Sequence, residues 1–80
     1  MKKIYHVRIT KIDKKGEDKE LLYIDTFTNK KEALKCLSYF FPIFCGYKKI
    51  NVRARVICYE QEPQIIIQER IHFCENEEDL

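Results

Sequence analysis

The chain predicts an α+β domain in the order ββαββ: a four-stranded, mainly antiparallel sheet with one helix packed on one face. Three observations predict it. Four stretches alternate apolar and polar residues at the period of a strand, and one stretch between the second and third carries apolar residues at helical spacing. Two glycines and two prolines in 80 residues leave little length for loops.

The first strand is "KIYHVRITKID" and the second "ELLYIDTFT", joined by "KKGED", where Gly16 supplies the positive φ of a tight reversal. Folding the hairpin about Lys15–Gly16 with partner numbers summing to 33 sets Ile9 beside Ile24 and Val7 beside Thr26 on one face. The other face then pairs Arg8 with Asp25, a cross-strand ion pair, and His6 with Phe27. A slip of one residue would exchange the faces.

The helix begins at Asn29, a good N-cap, with Glu32 placed as in a capping box. Ala33, Leu34, Leu37, Phe40, Phe41 and Phe44 form one wide apolar stripe, while Lys31, Lys35 and Ser38 lie opposite. Pro42 has no amide hydrogen and crowds the Ser38 carbonyl, so the helix is expected to stop near Phe41, with "IFCGY" as a tight turn ending at Gly46.

"INVRARVICYE" and "QIIIQERIHFC" make the last two strands, connected through "QEPQ". Partner numbers summing to about 125 set Cys58 against Ile67, Ala54 against Ile71 and Val52 against Phe73, an apolar face broken by Glu69 opposite Val56. Sheet orders 2-1-3-4 and 1-2-4-3 would each make every neighbouring pair antiparallel.

Bulk properties restrict the function. A chain this short hides only roughly 60% of its unfolded surface, enough for one core between two layers. Residues 1–74 read as one domain and residues 75–80, "ENEEDL", as an acidic, frayed tail. Without the tail the body holds 15 bases against nine acids, a balance that favours an acidic or anionic partner. No apolar run reaches the ~18–20 residues of a membrane span, and the first residues lack a signal peptide's apolar segment, so no membrane contact and a cytoplasmic location are expected. Cys36, Cys45, Cys58 and Cys74 are irregularly spaced without a C-x-x-C pair, which predicts thiols packed as small hydrophobes and no metal site. No triad spacing, phosphate loop or H-E-x-x-H appears, so neither catalytic residues nor a cofactor are assigned. A His6–His72 pair working on a phosphodiester is the remote catalytic alternative.

The functional expectation rests on geometry. A helix of about thirteen residues covers one face of a four-stranded sheet. In the registers above, the uncovered face carries Arg8, Tyr23, Phe27, Arg53, Arg55, Ile57, Tyr59, Arg70 and His72, along with His6, Leu21, Asp25, Ile66 and Gln68. Arginine mixed with tyrosine, phenylalanine and isoleucine is the composition of a binding surface rather than of ordinary exterior. The predicted function is therefore binding without chemistry. A protein partner comes first: a second copy in a homodimer, or a larger machine bound and blocked, as phage or mobile-element accessory proteins do. RNA or single-stranded nucleic acid on the same basic, aromatic face is the alternative. The bland reading pairs the arginines with Asp25, Glu60 and Glu69.

Overall fold

The computed structural model describes residues 3–47, 50–59 and 64–74. The acidic tail, Glu60 and the connection between the last two strands lie outside them. The order is ββαββ: β1 Tyr5–Ile12, β2 Asp18–Phe27, α1 Lys30–Tyr47, β3 Val52–Cys58 and β4 Ile65–His72. The four strands form one antiparallel sheet in the order β2-β1-β3-β4, so the first of the two expected orders is adopted. Among the described residues no helix is long and apolar enough to cross a membrane.

β1 and β3 alternate most regularly, and they occupy the centre. Tyr5, Val7 and Ile9 lie beside Cys58, Val56 and Ala54 and are buried with Ala33 and Leu37 of α1. Burying each large aliphatic side chain contributes about 1.5–3 kcal/mol, so this shared face holds the helix on the sheet. Two backbone bonds extend the central ladder past its ends: Ile12 N donates to Asn51 O (3.0 Å) and Tyr59 N to Ile4 O (2.9 Å).

The edge strands depart from the expected registers. Asp13 builds the hairpin turn: Gly16 N donates to its carbonyl, while Lys15 N and Glu17 N donate to its carboxylate. Gly16 follows with φ 89°, the left-handed conformation that closes a three-residue loop. Beyond the turn, Lys19 and Leu22 are each skipped by the β1–β2 ladder, which then pairs Ile9 with Tyr23, Val7 with Asp25 and Tyr5 with Phe27. Tyr23 and Phe27 therefore share the helix side, not the uncovered side. Arg8 faces Ile24, so the Arg8–Asp25 pair does not form. In β4 the ladder skips Ile67 and pairs Val56 with Gln68, Ala54 with Arg70 and Val52 with His72. Glu69 thereby moves to the other face, opposite Arg55.

α1 starts as expected. Glu32 N donates to the Asn29 side chain (3.2 Å) and Ala33 N to its carbonyl (3.1 Å). It does not stop at Phe41, however, but runs through Pro42 to Tyr47. Phe40, Phe41, Phe44 and Cys45 all pack against the core, whereas Pro42 is exposed. Proline inside a helix costs about 3 kcal/mol relative to alanine, and the partly buried Phe44 and Cys45 beyond it offset part of that. The carbonyl that loses its donor belongs to the exposed Ser38, where solvent replaces it.

Pro42→Ala is accordingly expected to stabilise the fold by about 1–2 kcal/mol, the helix gain less the added freedom of the unfolded chain. A denaturant midpoint unchanged from wild type would mean that the helix ends before Pro42.

Candidate interaction face

On the side of the sheet away from α1, the central strands present His6, Arg8 and Thr10 from β1 and Arg53, Arg55 and Ile57 from β3. The edge strands add Leu21 and Ile24 on one flank and Ile66, Glu69 and Ile71 on the other. Leu21, Ile24, Ile66 and Ile71 are each 43–49% exposed. The result is a row of guanidinium groups between two aliphatic flanks. His6 and Tyr59 close one end, with ring centroids 4.3 Å apart.

Arg53 is fastened. Its Nη1 donates to Asp18 Oδ1 (3.0 Å), its Nη2 to the Gly16 carbonyl (2.6 Å), and its Nε lies 3.8 Å from Glu69 Oε2. Arg55 Nε donates to the same Glu69 oxygen, and the Thr10 hydroxyl donates to Asp18 (3.1 Å). One polar network thus reaches from β2 through β1 and β3 to β4. It explains why Arg53 keeps only 16% of its side-chain surface exposed. The bland expectation is met here for Glu69, with Asp18 in the place given to Asp25.

Arg8 stands outside that network. It is flanked by Ile24 on β2 and directly opposed by Arg55 on β3, a like-charge pair that costs stability. Among the described residues it makes no hydrogen bond or ion pair, and its Nε is buried without an acceptor. Such a donor costs about 1–3 kcal/mol. Arg8, Thr10, Asp18, Arg53, Arg55 and Ile57 line a shallow depression in which three guanidinium groups meet one carboxylate.

Of the nine residues expected on this face, Arg8, Arg53, Arg55, Ile57 and Tyr59 are there. Tyr23, Phe27, Arg70 and His72 are not, because the skipped Leu22 in β2 and Ile67 in β4 turn those positions toward the helix side. Gln68 and Asp25 move with them. His6 and His72 are consequently on opposite faces and cannot act as a pair. Thr10, Asp18 and the Gly16 carbonyl were not expected as members. The Asp13–Gly16 turn was the available signal for them, since a three-residue loop brings Asp18 back beside Ile12.

Tyr23 serves the core instead. Its ring stacks on Phe40 (4.6 Å) and its hydroxyl contacts Asp25 Oδ2 (2.9 Å) and Cys36 Sγ (3.6 Å). Burial first, then the Cys36 and Asp25 contacts, push its phenol above the ordinary value of 10.0. All four cysteines are thiols, and burial also pushes that of Cys45 upward.

The chain matches no protein-family model, no curated protein and no solved structure. Fold and face together define a small ββαββ domain whose sheet is covered on one side and carries an arginine row on the other.

Two outcomes follow from the contrast between Arg53 and Arg8. Arg53→Ala should lower unfolding free energy by about 1–2 kcal/mol, because two charged hydrogen bonds in a half-screened setting are lost. Arg8→Gln should leave stability unchanged or raise it, most visibly at low salt, where repulsion from Arg55 is least screened. Urea titrations of the two variants measure both, and a larger loss for Arg8→Gln would reverse the assignment. The raised Tyr23 pKa means that the folded state holds the phenol proton more tightly than the unfolded state. Stability from this group is therefore complete below pH 10 and declines as pH rises beyond it. Tyr23→Phe should remove part of the wild-type alkaline decline, and parallel pH–stability curves would sink that attribution.

Proposed function

We propose that this protein acts by binding another protein through the helix-free face of its sheet, without chemistry of its own. The observation that carries this reading is the pairing of half-exposed Leu21, Ile24, Ile66 and Ile71 with an arginine row between them. Solvated strand faces favour lysine, threonine and glutamate, whereas aliphatic contacts around arginine match protein interfaces. Covering each of those four side chains would contribute roughly 1 kcal/mol.

Aliphatic flanks suit a protein better than a nucleic acid. Stacking surfaces for bases are confined to the His6–Tyr59 end, and two of the three arginines already hold carboxylates. An unlike, acidic partner suits the face better than a second copy. A two-fold axis through its centre would set Arg8 and Arg55 against their own images. For a domain of this size, occupying a surface on a larger protein and thereby blocking it is the role such a face fits.

Ile24→Asp and Ile66→Asp should each stay folded within about 1 kcal/mol of wild type, since both side chains are half exposed. Both should lose the partner that the wild-type chain captures from extract of its native cells. Tyr39→Asp, on the outer side of α1, should retain it. Equal capture by all three variants would reject the face. A wild-type dimer in light scattering that Ile66→Asp converts to monomer would transfer the face to self-association.

A further inference from the structure

Resting on that reading, we infer that Arg8, with Arg55 beside it, is the seat for a carboxylate carried by the partner protein. The three guanidinium groups of the face differ in what they are committed to. Arg53 gives Nη1 to Asp18 and Nη2 to the Gly16 carbonyl, while its buried Nε lies 3.8 Å from Glu69 without a hydrogen bond. Arg55 gives its Nε to Glu69 and has its remaining donors to offer. Arg8 has no acceptor among the described residues, although its Nε is already withdrawn from water. Desolvation normally opposes ion pairing at an interface. At Arg8 part of that cost is borne by the fold before any ligand arrives, and its Nη groups, which are not buried, are the donors a carboxylate reaches.

Position and charge complete the case. Arg8 and Arg55 are directly opposed across the central ladder, so one anion between them would replace repulsion with two charge-assisted contacts. Counting Asp18 on its lining and Glu69, which pairs with Arg55 from β4, the three guanidinium groups exceed the carboxylates by one, which a singly charged group balances. A nucleic-acid strand would bring further phosphates on either side of the first. There they would meet Asp18 and Glu69, the carboxylates that bracket the seat, whereas a peptide can set apolar side chains on Ile24 and Ile66.

The test uses the whole chain labelled with nitrogen-15, observed at the arginine Nε–H resonances. The probes are a short peptide alternating leucine and glutamate, the same peptide with glutamine for glutamate, and a thymidine oligonucleotide of equal length. The glutamate peptide should shift Arg8 and Arg55 while leaving Arg53 nearly still, and the glutamine peptide should shift none of them. Arg8→Gln should weaken binding of the glutamate peptide at least ten-fold, and Arg8→Lys should recover only part of it, because an ammonium keeps the charge without the fork. An Arg8 resonance unmoved up to millimolar glutamate peptide overturns the seat, as does an equal response to the glutamine peptide. Tighter binding of the oligonucleotide overturns it in favour of a phosphate site. Failure of the seat is separable from failure of the face. If Ile66→Asp abolishes partner capture and Arg8→Gln does not, the face stands and the seat falls; if Ile66→Asp leaves capture intact, the face itself is wrong.

Discussion

Arg8 faces Arg55 because β1 and β3 must align Val7 with Val56 beneath the helix. Everything on the far side of the sheet inherits that alignment. A one-residue slip between the two strands would drive arginines under Ala33 and Leu37 and is excluded by the burial of charge. A two-residue slip is a different matter, since it would keep every apolar residue on the helix side. What opposes it is found at the strand ends. The Ile12–Asn51 and Tyr59–Ile4 backbone bonds would be lost, and Arg53 would move away from Asp18 and the Gly16 carbonyl. The hydrophobic layer thus chooses the face, and polar contacts on the opposite layer choose the register.

That division of labour separates the arginines by purpose. Arg53 ties the hairpin turn to the centre of the sheet and, with Glu69 and Arg55, to the far edge. Its role is complete within the chain. Arg8 occupies an equally central position but adds repulsion, and among the described residues no hydrogen bond or ion pair of its own compensates for it. Where one residue breaks the local rules that its neighbours obey, the compensation is sought outside the fold.

The sequence made the two central strands legible and the two edge strands illegible for a single reason. β1 and β3 are buried on one side by the helix and alternate through Ile9 and Val56 respectively, so the faces of Arg8, Arg53, Arg55 and Ile57 could be assigned without knowing their partners. Faces in β2 and β4 had to be inferred by counting back from a turn, and each residue that a ladder skips inverts the count. Lys19 and Leu22 in β2 and Ile67 in β4 are such residues, with no glycine among them to mark a bulge. The odd, three-residue turn offsets Lys19, so Leu22 and Ile67 decide the faces. Tyr23, Phe27, Arg70 and His72 were misplaced in consequence, and so was Glu69, whose awkward position opposite Val56 was the visible sign of a wrong register. The end of the helix was misjudged differently. Pro42 is a reliable local stop, but Phe44 and Cys45 beyond it still face the core, and tertiary packing prevailed over the local rule.

The skipped residues also bear on how a partner can approach. An open sheet invites pairing along its edges, and bulges that bend and twist an edge are a common defence. Both edge strands here carry them, two in β2 and one in β4. The outer row of the helix runs Lys31, Lys35, Tyr39 and Ile43, half of it charged. The remaining broad surface is the helix-free face, aliphatic along both flanks. A partner that settles over those flanks must place something on the guanidinium groups between them. An apolar group there would leave Arg8 and Arg55 buried and opposed, at greater cost than in the solvated protein. On the proposed reading a negatively charged oxygen would be the complement that lets the flanks close, and the aliphatic contacts and the carboxylate would belong to one binding event.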